Sequence, residues 1–270
     1  MLSIIQKTLI VLFIFCDASL FADLPLYWWR TNERTSFEGT NFGDELSFAI
    51  VERILGKPPT RASASEHKLL AVGSILQFAI DGDVVWGSGD QQNSASAFHF
   101  KTLDVRAVRG PLTRQALLNC GIHAPAIYGD PALLLPYLFP EFKRSETPAY
   151  DYIIIPHISE IGLFARENNV VWPTEPWQEI VQKITNSKFV ISSSLHGLVV
   201  AESFGIPARC INKTKRVFSK KYLDYYMGTG RPGYTQAFSV QQALEMGGEP
   251  PPIFNAEALL NAFPYEYFLQ

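Results

Sequence analysis

The sequence predicts an α/β protein of two compact halves, each built on a parallel β-sheet. Three observations carry this. From residue 25 onward, short apolar runs alternate with helical stretches, the pattern of repeated βα units. The polar stretch Pro140–Tyr150, with two prolines, interrupts the pattern, which then restarts. A length of 270 residues suits two such units. The expected divisions are residues 23–142 and 150–246, followed by a tail, 247–270, with a final helix.

Leu26-Tyr-Trp-Trp29 is the first strand, and the polar segment Arg30–Thr40 leads to Asn41-Phe-Gly-Asp44. An amphipathic helix runs from there to Leu55, with Gly56 as its stop. Leu69–Val72 and Asp83–Trp86 read as buried strands and Val105–Val108 as a weaker one. Pro111 at the first helical position and Gly121 beyond Cys120 bracket a second helix, and Ala126–Tyr128 is a further strand. In the second half the strands are Tyr152–Ile155, Val170–Trp172, Phe189–Ile191 and Ala208–Ile211. Helices are expected at Pro176–Ile184 and Leu195–Phe204, the latter stopped by Gly205. Helices at Val240–Met246 and Ala256–Ala262 flank the breaker Gly247–Pro252.

Composition narrows the class. Apolar residues make up 47% and charged residues 18%, enough for packed cores and unlike a disordered or fibrous chain. A net charge of −3, with both signs mixed along the chain, argues against a nucleic-acid partner. An anionic ligand would have to be held locally, by a few basic groups and backbone amides. Cys16, Cys120 and Cys210 have no metal-ligand spacing, so no metal site is implied. A Cys120–Cys210 disulfide is open, with two buried free thiols the favoured reading. In residues 1–22, Lys7 precedes an apolar run from Thr8 to Phe15, followed by Ala18, Ser19 and Ala22. That is the layout of a signal peptide cut after Ala22, or of an uncleaved membrane anchor, with a buried first strand as the alternative. The chain is thus expected at a membrane or exported, with a cytoplasmic location as the alternative.

Four clusters follow strands or open helices, where ligands bind in open parallel sheets. They contain Asn41, Gly43 and Asp44; Gly87, Ser88 and Gly89; Gly129-Asp130-Pro131; and Ser192-Ser193-Ser194-Leu195-His196-Gly197. The last is the sharpest, with three hydroxyls at a strand end and His196 in the first turn of the next helix, placed to exchange a proton. Alternatively, the serines cap the helix and His196 merely bonds across an interface. Asp44 and Asp130 have the same structural alternative, as cap or turn residues. Arg109, leaving a strand before Gly110-Pro111, suits bidentate binding of a carboxylate or phosphate. Lys213, Lys215, Arg216, Lys220 and Lys221 form a basic run that is either a solvated face or a further anion anchor.

Taken in order, Asn41-Phe-Gly-Asp44, Trp86-Gly-Ser-Gly89, Val108-Arg-Gly-Pro111, Tyr128-Gly-Asp-Pro131 and Ile191-Ser-Ser-Ser-Leu-His-Gly197 resemble the polysaccharide pyruvyl transferase family. Ala201-Glu202 and Gly205-Ile-Pro207 extend the likeness, which spans about Leu24 to Ile211. The resemblance implies a GT-B-like fold, two Rossmann-like domains with parallel sheets facing a central cleft. It implies phosphoenolpyruvate as co-substrate, with no other cofactor and no metal. The acceptor is a hydroxyl pair of a saccharide, lipid-linked if the leader anchors the chain, and the product a cyclic pyruvate ketal. His196 and Arg109 then become the catalytic candidates. Asn41, Gly43, Asp44, Gly87, Ser88, Gly89, Asp130, Ser193, Ser194 and Gly197 become substrate-binding ones. Ser194 stands where some members have arginine, so a donor contact is either lost or supplied by Arg109, Arg209 or Lys213. The chain is short for the fold, so a trimmed second half is expected. Rivals are a nucleotide-sugar glycosyltransferase of the same fold, with Glu202 as its ribose ligand, and a silent carbohydrate-binding protein.

Overall fold

The computed structural model describes residues 23–30, 41–91, 98–214 and 220–268. The leader, most of the segment 30–40, and Lys215 and Arg216 of the basic run lie outside the described residues. Within them, no helix is long and apolar enough to cross a membrane.

The chain is a mixed α/β protein with two parallel four-stranded sheets. The first joins β1 (Leu26–Tyr27), β2 (Leu69–Leu70), β3 (Val84–Trp86) and β4 (Asp104–Ala107) in that order. The second joins β5 (Ile153–Ile155), β6 (Val190–Ser192), β7 (Ala208–Ile211) and β8 (Gln236–Ala237) in that order. Single bridges complete both. Arg61 bonds Leu26 on the edge away from β2, and Val170 bonds Ile154 on the edge away from β6. Tyr128 extends the far edge of the first sheet by a bridge to Val108. Each sheet therefore steps outward once from its first strand, then returns and runs the other way. The reversal lies between β1 and β2 and again between β5 and β6. The sheet of the second half has four strands, like the first. The strands expected at 126–128 and 170–172 shrink to those bridges.

The helices are α1 (Phe42–Leu55), α2 (Pro111–Asn119), α3 (Leu135–Leu138), α4 (Trp177–Thr185), α5 (Leu195–Ser203), α6 (Lys220–Gly228), α7 (Val240–Met246) and α8 (Ala256–Asn261). Gly56 ends α1 in the left-handed conformation, φ 69°, which an L side chain adopts only with strain. One buried cluster runs through both halves, including Leu26, Phe42, Leu133, Ile153, Leu198 and Leu259. Pro131–Leu138, a 3-10 turn leading into α3, fills the centre against α1, α5 and α8. The tail returns to the first half, where the Trp86 indole donates to the Leu259 carbonyl (2.8 Å) and meets Phe263 edge-on. Cys120 and Cys210 are not joined by a disulfide. Cys120 is exposed, contrary to expectation, because it lies at the C-terminal end of the surface helix α2.

Candidate functional site

Both sheet reversals open onto one cavity of about 290 Å³, near the lower end of the range for small-molecule sites. Trp29 leaves β1, Ser74 and Ile75 follow β2, His157 and Ile158 follow β5, and Ser194 to His196 follow β6. Asn41 just before α1, Asp44 in its first turn and Lys221 of α6 complete the wall. The first turns of α1 and α5 thus border it from opposite halves, presenting the positive ends of two helix dipoles.

The three serines after β6 divide the work. The Ser192 hydroxyl donates to the Ile155 carbonyl (2.7 Å) and accepts the Ser194 N–H (2.9 Å), tying two strand ends together. The Ser193 hydroxyl accepts the His157 N–H (2.9 Å), and its carbonyl accepts the Tyr222 hydroxyl (2.6 Å). Ser194 caps nothing with its side chain and lines the cavity. Gly197 lies against Ser192, where a Cβ would come within 2.3 Å of the hydroxyl.

His196 is 8% exposed, and its Nε2 lies 3.5 Å from Oδ2 of the fully buried Asp130. Neither atom has a closer hydrogen-bond partner among the described residues. The other Asp130 oxygen accepts the Ala132 N–H (3.0 Å). Asp130 thus backs the imidazole instead of lining the cavity, the arrangement in which a carboxylate orients a proton-transfer group. Gly43 makes room for the ring, since a Cβ there would fall 2.1 Å from Nδ1. Asp44 does not cap α1. Its Oδ2 accepts the Asn41 side-chain N–H (2.6 Å), and burial raises its pKa to about 6 against the opposing pull of His196.

His157, which no motif flagged, caps the turn Ile158–Phe164 by accepting the Ser159 N–H at Nδ1. Burial, with help from Lys221 and His196, lowers its pKa to about 4, so it is neutral near pH 7. Its signal in the sequence was a histidine just past the carboxyl end of a buried strand. Lys221 has no carboxylate within ion-pairing distance among the described residues, and burial brings its pKa down to about 8. Lys213, by contrast, pairs with Glu167, and Lys220 with Asp90 (3.1 Å).

Arg109 does not reach the cavity. Its side chain is fully buried, pairing with Asp224 (Nε to Oδ2, 3.4 Å) and donating to Ser74 Oγ (2.5 Å) and the Asp90 carbonyl (3.0 Å). Gly89 lies directly against its guanidinium, and Ser88 is fully buried with its hydroxyl on the Gly73 carbonyl (3.0 Å). Gly87, at φ 81°, packs against Pro131. These residues form the floor that places Ser74. Arg209 is likewise committed, to Glu249 and the Gly247 carbonyl (2.6 Å). Among the described residues, no three His, Cys, Asp or Glu side chains are grouped to hold a metal ion.

The family model described as "Polysaccharide pyruvyl transferase" matches residues 41–213, most of the chain and every cluster above. The chain belongs to the polysaccharide pyruvyl transferase family. A similar relative is the "Succinoglycan biosynthesis protein ExoV" of Rhizobium meliloti (strain 1021), 28% identical over 76% of this chain and 64% of that protein. An uncharacterized protein of Acanthamoeba polyphaga mimivirus is 31% identical over 50% of each. The chain therefore spans less than two thirds of the length of these relatives. A crystal structure of a functionally uncharacterized Klebsiella pneumoniae protein is also similar. It has a TM-score of 0.48 at 10% identity, covering 80% of this chain and 93% of that one.

Proposed function

We propose that this chain transfers the pyruvyl group of phosphoenolpyruvate to a hydroxyl pair of a saccharide, forming a ketal and releasing phosphate. The observation that carries the reading is the convergence of two sheet reversals and two helix N-termini on one small cavity lined by His196, Asp44 and Lys221. The arrangement fits a GT-B-like enzyme whose donor is a small, highly charged anion. Lys221 and the two helix ends would hold the phosphate and carboxylate, taking over the anchoring role expected of Arg109 and supplying the charge that Ser194 lacks. His196, oriented by Asp130, would deliver a proton to the methylene carbon as the central carbon is attacked. Asn41 and Ser194 offer hydrogen bonds to donor or sugar. Gly43 and Gly197 leave the space, and Ser193 fixes the backbone of His157. The resemblance of the relative named for succinoglycan biosynthesis supports an exopolysaccharide as the acceptor class.

The glycosyltransferase alternative loses its ribose ligand. Glu202 is buried, paired with Arg231 (2.8 Å) and accepting the Tyr225 hydroxyl (2.7 Å).

The test is donor binding by calorimetry, together with phosphate release in the presence of saccharides. Phosphoenolpyruvate should bind and a nucleotide sugar should not. Lys221→Met should weaken donor binding by about 1.5–3 kcal/mol, the usual range for a hydrogen bond to a charged group. Wild-type affinity should fall as pH rises through about 8, where Lys221 loses its charge. His196→Asn should bind the donor but turn over roughly 10²–10⁴ times more slowly. Normal turnover in folded His196→Asn, or tight binding of a nucleotide sugar, would overturn the reading.

A further inference from the structure

Resting on the proposed reaction, ketal formation needs two proton movements in the same step. One sugar hydroxyl must lose its proton as its oxygen attacks, while the methylene carbon must gain one to become a methyl group. A single side chain cannot act as charged acid and empty base at the same moment. Besides His196, the cavity wall holds three titratable groups among the described residues, Asp44, His157 and Lys221. His157 is a weak base with its Nδ1 already engaged by Ser159, and Lys221 is the counter-charge to the anion. Asp44 remains. Its residue is 8% exposed and lines the cavity from the first turn of α1, one residue after the glycine on which the His196 ring rests.

We infer that Asp44 is the second proton-transfer group, the base that removes the proton of the attacking sugar hydroxyl while His196 acts as the acid. In the first step the oxygen–carbon bond forms, the hydroxyl proton passes to Asp44, and the imidazolium proton passes to the methylene carbon. In the second step the carbon–phosphate ester bond breaks, the second hydroxyl oxygen bonds to the same carbon, and its proton leaves with phosphate. Transfer of the Asp44 proton back to His196 restores both groups, so no outside acid or oxidant is required. The charged and polar groups facing Asp44 suit a base poised near neutrality. Asn41 stands just before its own helix and Glu45 on it, His196 on α5 and Lys221 on α6, and burial outweighs them to leave the carboxyl near 6.

The experiment compares wild type, Asp44→Asn and Asp44→Glu, with phosphoenolpyruvate as donor and methyl hexopyranosides with free hydroxyl pairs as acceptors. Wild-type turnover should rise with pH through about 6 as Asp44 ionises. Asp44→Asn should bind phosphoenolpyruvate within about twofold of wild type, lose that limb, and fall in turnover by roughly 10²–10⁴. Asp44→Glu should recover part of the rate with the limb displaced. Turnover within threefold of wild type in Asp44→Asn, or loss of donor binding in that variant alone, would overturn the inference and leave the function standing. Failure of wild type to bind phosphoenolpyruvate would overturn the donor reading, and the inference with it.

Discussion

At the scale of single residues, the same burial that suits Asp44 to proton transfer works against folding. Its carboxyl titrates near 3.8 when solvated and near 6 when folded, so the folded chain holds the proton more tightly. The stabilisation this gives is present below about pH 4 and is lost as pH rises through about 6, a difference of about 3 kcal/mol at most. Asp44→Asn removes the buried charge with little change of shape. Its thermal midpoint should exceed that of wild type at pH 8, and the gap should close toward pH 4. A variant less stable than wild type at pH 8 would mean that the Asn41 hydrogen bond and the attraction of His196 and Lys221 outweigh burial. Asn41, Asp44, Ser194 and His196 were legible in the sequence because each sits in a short motif beside a strand end or helix start. His157 was not, since a histidine after Pro156 has no motif around it. Nor could sequence show that Arg109 turns inward, because that depends on Asp224, more than a hundred positions away.

The element that decides the site is α6, which sequence reasoning saw only as the end of a basic run. Its buried face is Tyr222, Asp224, Tyr225, Tyr226 and Gly228. An aspartate within that face breaks the apolar periodicity from which helices are read. The structure supplies the reason. Asp224 accepts the backbone N–H groups of Leu112 and Thr113 (2.8 and 3.0 Å) and the Thr113 hydroxyl (2.6 Å), so it caps α2 from across the molecule. Gly110 supplies no side-chain cap, and a Cβ there would fall 1.9 Å from the Asp224 carbonyl oxygen. This junction brings Lys221 into the cavity. Asp224→Ala would remove the cap and leave Arg109 buried without its carboxylate, a combination that should cost about 3–5 kcal/mol. Urea denaturation measures this directly, and a loss below about 1 kcal/mol would show that α6 is held chiefly by its tyrosines.

For the whole molecule, the alternation of strand and helix made the two parallel sheets legible. It did not reveal that the halves share one core. The buried cluster passes from Leu26 and Phe42 through Leu133 and Leu135 to Ile153, Ile180 and Leu198, without a polar boundary at residues 140–150. Two crossings lock it. The Phe42 N–H donates to the Pro173 carbonyl (2.9 Å), and the tail lays α8 over the first sheet, so the Trp86 indole depends on a carbonyl 173 positions away. Such long-range pairings are invisible to local patterns, which register only neighbours in sequence. They also predict how the molecule unfolds. Two halves with separate cores would melt independently, whereas a shared core couples them into one transition. Tryptophan fluorescence and far-ultraviolet circular dichroism should therefore give coincident urea curves. A chain ending at Gly247 should lose stability in the first half as much as in the second, because Leu259, Phe263 and Phe268 leave that core. Two resolved transitions in the full chain, or an unchanged midpoint in the shortened one, would show that the halves fold as independent units.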